Sequence, residues 1–228
     1  MKDVYFNDET INTEADDLMR AISPLRKHTD RVFNLHSPAL LVLDMQRYFL
    51  DDHSHAFVPS APAIVPNIQT LQEQFLNRHL PVIQTRHTNS PANAGQMKTW
   101  WKDLIRETDP HASLIDEIRD PRAVILPKTQ YDAFFQTDLE QRLHENRITQ
   151  VVITGVMTHL CCDTTARSAF IRGFEVFFMV DATATYNRQF HLASLLNLSH
   201  GFAIPTLTHD ILTAFHRPNE RGVTLNGS

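Results

Sequence analysis

From residue 38 onward, continuous apolar runs alternate with segments in which apolar residues recur every three or four positions. The first pattern is typical of buried parallel strands and the second of helices. The apolar runs predict six strands, at 39–44, 81–85, 123–126, 151–155, 175–181 and 202–207. The helical spacing predicts helices at 62–79, 137–147, 158–173 and 188–201, and a last turn at 210–215. This alternation predicts one α/β domain of three layers: a six-stranded, mostly parallel sheet with helices on both faces.

The polar residues 1–36 precede this pattern, and we treat them as an N-terminal arm. A short helix is expected there, near 14–22, packed on the domain surface or on a neighbouring subunit. Residues 37–228 are expected to form the main domain, because no repeat, low-complexity tract or linker divides them.

The composition narrows the class of partner. A net charge of −5 over 228 residues gives no basis for a nucleic-acid or membrane partner, so we expect a small-molecule substrate. No apolar run reaches the roughly 18 residues of a membrane span. The polar, acidic start is unlike a secretory leader, and a cytoplasmic location is the default. Cys161 and Cys162 are the two cysteines, and their adjacency favours free thiols in a reducing compartment.

Three reactive residue types follow the ends of predicted strands. Asp44 ends the run ALLVLD, Lys128 follows VILP, and Cys161 lies in the first turn of the helix after VVITG. The carboxyl ends of parallel strands share one edge of the sheet. There, the helix start and the lysine would favour a thiolate, with the aspartate as general base. The structural alternatives are a capping aspartate, a solvated lysine and a packed cysteine.

Three segments resemble the isochorismatase-like cysteine hydrolase superfamily, which includes nicotinamidases, carbamoyl-sarcosine and related amidohydrolases, and isochorismatase. They are LLVLDMQRYF (40–49), PKTQYDAFFQTDLEQRL (127–143) and VVITGVMTHLCCDTTARSAFIRGFEVFFMVDATA (151–184). The similarity extends over roughly 38–212 and keeps the order and spacing of all three. The resemblance implies an isochorismatase-like hydrolase domain at 37–228, a homodimer or larger homo-oligomer, and no cofactor.

The resemblance also implies roles for individual residues. Asp44 would be the general base or acid, Lys128 the third member of a triad, and Cys161 the nucleophile that forms a thioester. A cis peptide is expected between Val156 and Met157, with an oxyanion hole formed by the N–H groups of Met157 and Cys161. The expected reaction is hydrolysis of an amide or another non-peptide C–N bond in a small molecule.

One departure from the nicotinamidases concerns a metal. Their Asp-x-His motif with a further histidine is expected after the second strand, where this chain reads QTRHTNSPANAG. No Asp precedes His87 there, and no second histidine accompanies it. Asp51, Asp52 and His53 could imitate a metal site, but they lie in a polar turn. We therefore expect no catalytic metal, which counts against a nicotinamidase.

The alternative reaction is that of isochorismatases, in which an aspartate protonates a vinyl ether. In those enzymes the position of Cys161 is characteristically Gly, followed by a cysteine that matches Cys162. The polar arm, the YDAFFQTDLE segment and His159 favour this branch, whereas the thiol at 161 favours covalent chemistry. A third hypothesis, a non-enzymatic interaction protein, predicts a buried, unreactive Cys161 that is not paired with Asp44.

Substrate-binding candidates follow the second and third strands. Arg86 could hold a substrate carboxylate or form a surface contact. Trp100 and Trp101 could form a lid over the pocket or belong to a subunit contact. The full set of candidates is Arg86, His87, Asn89, Trp100, Trp101 and Tyr131.

Overall fold

The strands and helices follow the predicted order closely. The computed structural model describes residues 2–25, 31–216 and 223–224. The strands are β1 (Val32–Phe33), β2 (Pro38–Leu43), β3 (Val82–His87), β4 (Val124–Lys128), β5 (Gln150–Val156), β6 (Glu175–Ala184), β7 (Ile204–Thr206) and β8 (Val223–Thr224). The helices are α1 (Ile11–Ile22), α2 (Arg47–Leu50), α3 (Ala61–Asn77), α4 (Met97–Trp100), α5 (Leu139–Glu145), α6 (Asp163–Ile171), α7 (Arg188–Gly201) and α8 (Thr208–His216).

Strands β2 to β7 form one parallel sheet in the spatial order β4-β3-β2-β5-β6-β7. This confirms the single α/β domain with a six-stranded sheet and helices on both faces. Every residue of β2 and β5 is buried, as expected for central strands covered on both faces. Strands β1 and β8 form a separate antiparallel pair, which the sequence pattern did not predict because two-residue strands carry no periodicity.

The strand order reverses between β2 and β5. From that point β3 and β4 lie on one side and β6 and β7 on the other. In open α/β sheets, ligands bind beside such a switch, outside the carboxyl ends of the strands. Asp44 directly follows β2 there, and a π-helical turn, Thr158–Cys162, follows β5 and leads into α6.

Gly155 allows β2 and β5 to approach closely at this point. Its φ is +104°, and a Cβ at this position would lie 2.1 Å from the carbonyl oxygen of Leu43. Leu43 is the register partner of Gly155 and immediately precedes Asp44. A side chain at 155 would therefore displace the strand end that carries the aspartate.

Residues 2–25 pack against the rest of the domain. Helix α1 begins at Ile11, earlier than predicted, and the core includes its residues Ile11, Ala15, Leu18 and Ile22. The division between an arm and a main domain at residue 36 stays a prediction. Within the described residues, no helix combines the length and the apolar character that crossing a bilayer requires.

Candidate active site

Asp44, Lys128 and Cys161 meet at the switch point of the sheet. The Nζ of Lys128 lies 2.8 Å from Oδ2 of Asp44 and donates a hydrogen bond to Sγ of Cys161 at 3.4 Å. The three residues are 0%, 2% and 6% exposed, respectively. The structure therefore brings together the three residues that the sequence analysis proposed as catalytic.

A long side chain is needed to connect these groups across the sheet. Lys128 ends β4, and β3 separates β4 from β2, so the backbone of Lys128 lies two strand spacings, roughly 10 Å, from β2. The extended lysine chain crosses this distance. Its ammonium also donates to the carbonyl oxygens of Gln130 at 2.8 Å and Tyr131 at 3.4 Å, which satisfies its buried donors.

Thr85 on β3 fixes the orientation of the aspartate. Its hydroxyl donates to Oδ1 of Asp44 at 2.6 Å and accepts a hydrogen bond from the Asp44 backbone N–H at 3.0 Å. Asp44 has a φ of 51°, and this pair of bonds holds its side chain close to its own backbone. The sequence analysis missed Thr85, although it lies on the same face of β3 as His87.

The charges of Asp44 and Lys128 stabilise each other. Burial alone raises the pKa of the Asp44 carboxyl, but the positive charge of Lys128 outweighs it, and the pKa lies below its ordinary value. Burial alone lowers the pKa of Lys128, but Asp44 and then Cys161 outweigh it, and the pKa lies above its ordinary value. The site therefore favours a buried carboxylate–ammonium pair.

The surroundings of Cys161 disfavour the thiolate. Burial and then the negative charge of Asp44 raise the pKa of Cys161 far above its ordinary value, and Lys128 offsets only part of this rise. Desolvation and the carboxylate thus act against the helix start and the lysine, and the thiolate expected from the sequence stays a prediction. The nearby carboxylate of Asp44, whose charge raises the thiol pKa, is the group that would accept its proton.

The segment before Cys161 has an unusual backbone. The Val156–Met157 peptide bond is cis, and the carbonyl oxygen of Met157 accepts hydrogen bonds from the N–H groups of Leu160 and Cys162. Cys162 is fully buried, with Sγ 3.9 Å from the carbonyl oxygen of Thr154. The two thiols therefore have different surroundings, and it is Cys161 that contacts Lys128.

His87 lines the cavity as a neutral imidazole. Asn89 donates from Nδ2 to the carbonyl oxygen of Thr129 at 2.7 Å, so its Oδ1 accepts from Nε2 of His87, also at 2.7 Å. Nδ1 of His87 then faces Nζ of Lys128 at 3.5 Å. Burial and then Lys128 lower the pKa of His87 to about 4. Gln46, which the sequence analysis missed, fixes the His87 backbone through hydrogen bonds of 2.8 and 2.9 Å.

A cavity of about 190 Å³ opens onto Cys161. Its lining is mainly apolar and aromatic, and it includes four of the six substrate-binding candidates, namely His87, Asn89, Trp101 and Tyr131. Nε1 of Trp101 donates to the Tyr131 hydroxyl at 2.6 Å. The lining residues are Tyr48, Phe49, His55, Ala56, His87, Asn89, Met97, Trp101, Lys102, Asp103, Leu104, Ile105, Tyr131, Met157, Leu160, Cys161 and Tyr186.

Two candidates lie outside this lining. Side chains alternate along β3, so Thr85 and His87 face the site and Arg86 faces the opposite side of the sheet. There Arg86 forms an ion pair with Glu107 at 2.9 Å. Trp100 is 78% exposed. The structure therefore does not support Arg86 as a ligand for a substrate carboxylate.

A polar cluster on the cavity wall was not predicted. The Tyr48 hydroxyl donates to Asp103 and lies 3.3 Å from Nε2 of His55, which is 3.5 Å from the same carboxylate. These residues come from α2 and two irregular loops, so no periodic pattern indicated their proximity.

Among the described residues, Asp51, Asp52 and His53 form a group that could hold a metal ion. Asp52 and His53 are exposed, and none of the three lines the cavity. The expectation that catalysis uses no metal stays a prediction.

Comparisons with known proteins identify the family. The model of the isochorismatase domain family matches residues 38–210. Nicotinamidase 3 of Arabidopsis thaliana is 38% identical over 190 residues, covering 80% of this chain and 92% of that protein. Enterobactin synthase component B of Escherichia coli K12 is 29% identical, covering 81% of this chain and 66% of that protein. A cysteine hydrolase from Pseudomonas syringae superposes with a TM-score of 0.78 at 24% identity, covering 81% of this chain and 95% of that one.

The chain belongs to the isochorismatase family and is a hydrolase.

Proposed function

We propose that Cys161, Asp44 and Lys128 form a catalytic triad that hydrolyses an amide or related C–N bond in a small molecule through a thioester. The observation that carries this proposal is the single ammonium of Lys128, which contacts both the carboxylate and the sulfur. Lys128 thereby holds Asp44 ionised beside the thiol that this base must deprotonate, and Cys161 lines the cavity.

The chemistry proceeds in two halves. Cys161 gives its proton to Asp44 as the C–S bond forms. Asp44 then returns this proton to the nitrogen as the C–N bond breaks, and ammonia or an amine leaves. Water next attacks the thioester and gives one proton to Asp44. The acid is released as Cys161 regains a proton.

The developing oxyanion needs hydrogen-bond donors. We assign this role to the backbone N–H groups of Met157 and Cys161, the two positions that the family resemblance implies. Both residues line the cavity, and backbone donors that are fixed in place stabilise such charge without reorganisation.

The lining of the cavity favours an uncharged substrate. Among the described lining residues, Lys102 alone carries a fixed positive charge, and Asp103 follows it directly. Isochorismate, a vinyl ether with two carboxylates, would lack a guanidinium partner in this cavity. The 38% identity to a protein named as a nicotinamidase favours a small carboxamide as the substrate. It also weakens the sequence-based argument against a nicotinamidase, which rested on the missing metal motif. Vinyl-ether hydrolysis with Asp44 as general acid is the second candidate, supported by the family match.

Comparison of Cys161→Ala with Asp44→Ala tests the mechanism. With nicotinamide and other small primary carboxamides as probes, ammonia release should be lost in both variants, and mass spectrometry should trap an acyl group on Cys161 of the unsubstituted protein. Cys162→Ala, which removes the adjacent buried thiol, is the matched control and should retain turnover. Turnover of isochorismate that survives Cys161→Ala and is lost in Asp44→Ala would establish the second candidate instead. Homo-oligomeric assembly and a cytoplasmic location remain predictions.

A further inference from the structure

Residues 2–6 lie across two walls of the substrate cavity. We define the first wall as residues 48–60, which contribute Tyr48, Phe49, His55 and Ala56 to the lining, and the second wall as residues 185–186, which contribute Tyr186. The two walls are far apart in sequence and come from different parts of the fold.

The contacts with the first wall are hydrogen bonds to its second half, at residues 55, 57 and 60. Nζ of Lys2 donates to the carbonyl oxygens of His55 at 2.6 Å and Phe57 at 2.7 Å. The backbone N–H groups of Tyr5 and Phe6 both donate to the hydroxyl of the buried Ser60 at 3.0 Å. Residues 55–60, which include the lining residues His55 and Ala56, are therefore held at three positions.

The same short stretch binds the second wall. The Asp3 N–H donates to the carbonyl oxygen of Tyr186 at 2.9 Å, and Nζ of Lys2 lies 4.5 Å from the Tyr186 ring centroid, within cation–π range. The Tyr5 hydroxyl accepts a hydrogen bond from the Thr185 N–H at 3.0 Å. One ammonium thus contacts both walls at once.

The stretch is anchored in the core rather than loosely attached. Tyr5 and Phe6 are 7% and 1% exposed, and the Tyr5 hydroxyl also bonds Nδ1 of the buried His191 at 2.9 Å. Residues 2–6 also lie outside the family match, which begins at residue 38. They thus contact the cavity walls from outside the residues that the family model matches.

From these contacts we propose that residues 2–6 act as a strap that holds the two cavity walls in place, with Lys2 and Tyr5 as positioning residues for substrate binding. The effect on substrate binding rests on the proposed hydrolysis, whereas the effect on the walls does not. A loosened strap lets Tyr186 and the His55 segment move apart, so substrate affinity falls while the triad, held by the sheet, keeps its geometry.

The test uses Lys2→Met and Tyr5→Phe in the full-length protein, with Lys2→Arg as the conservative variant. Arg20→Ala is the matched control, because it removes an exposed cation from the same arm at a position that pairs only locally with Asp17. Hydrogen exchange followed by mass spectrometry should show faster exchange, by about threefold or more, in peptides spanning 53–60 and 183–187. Lys2→Arg and Arg20→Ala should leave this exchange unchanged. With the carboxamide that the unsubstituted protein hydrolyses, Lys2→Met should raise KM about fivefold and leave kcat within about twofold.

The outcomes separate the two proposals. Unchanged exchange in both peptides would overturn the strap, whatever the turnover. Faster exchange with an unchanged KM would overturn its role in substrate binding. If no carboxamide is hydrolysed by the unsubstituted protein, the proposed function fails, and exchange still decides whether the strap holds the walls.

Discussion

The ammonium of Lys128 reaches Asp44 from two strands away and lies 2.8 Å from its Oδ2, with both side chains fully buried. The same ammonium contacts Cys161, so base and nucleophile share one positive charge. The carboxylate raises the pKa of the thiol and the ammonium lowers it. Neutralising Asp44 should therefore increase the reactivity of the thiol, and neutralising Lys128 should decrease it.

Asp44→Asn should make Cys161 more reactive toward iodoacetamide at pH 8, even though turnover is lost. The substitution removes the negative charge that raises the thiol pKa and leaves Lys128 to favour the thiolate. Lys128→Met should slow alkylation for the opposite reason. The alkylation rates are measured in a Cys162→Ala background, so that Cys161 is the one thiol that can be alkylated. Equal rates in both variants would show that these charges do not control the thiol.

Lys128→Met should reduce the free energy of unfolding by about 3–5 kcal/mol, because it leaves the Asp44 carboxylate buried without a countercharge. The double variant Asp44→Asn/Lys128→Met should recover part of this loss, since a neutral amide needs no ammonium. Urea unfolding followed by circular dichroism measures both. The exposed Lys98→Met is the matched control and should change stability by less than about 0.5 kcal/mol. A stable single variant would contradict the buried ion pair.

Stability should fall as the pH decreases from about 6.5 to 4. Burial lowers the pKa values of His87, His159 and His191 to about 4, 4 and 3, so the unfolded chain binds more protons in this window. Burial raises the pKa of Asp181 to about 6. Between pH 3.8 and 6 the folded protein therefore holds a proton on Asp181 that the unfolded chain releases, which cancels the uptake by one histidine.

The net uptake on unfolding is about two protons near pH 5, each worth about 1.4 kcal/mol per pH unit. Urea unfolding at several pH values gives the slope. His191→Gln should reduce it by one proton, whereas His53→Gln, at an exposed position, should leave it unchanged. A flat profile between pH 4 and 6 would exclude buried neutral histidines.

Gly155→Ala should destabilise the fold by about 3 kcal/mol or more, because a Cβ there would collide with the Leu43 backbone in a left-handed conformation. Thermal unfolding checks this, and the same variant should also lose turnover through displacement of Asp44. Gly201→Ala is the control, since nothing lies within 4 Å of a Cβ at that position. Equal melting temperatures for both variants would refute the close approach of β2 and β5.

The sheet and the three proposed catalytic residues could be read from the sequence because each depends on a short local pattern. Apolar runs marked the strands, and Asp44 and Lys128 followed their ends, where parallel topology brings residues together. The two-residue alternation of β3 could also have placed Thr85 beside Asp44 and turned Arg86 away, but only once the face of His87 was known.

Other features of the site had no local signal. Tyr48, His55 and Asp103 meet through loops whose conformations follow no period. The raised pKa of Cys161 depends on the combined effect of burial and two opposite charges, which no spacing in the sequence reveals. The strap was likewise invisible, because a polar arm gives no indication of which backbone carbonyls it contacts.

The reversal of strand order between β2 and β5 bears on how activity arises during folding. One half of the sheet supplies the carboxylate and the ammonium, and the other supplies the sulfur. Lys128 and Cys161, 33 positions apart, meet only when the halves have docked. Such non-local closure is slow compared with helix formation, so the regain of turnover after dilution from denaturant should lag behind the return of helical ellipticity.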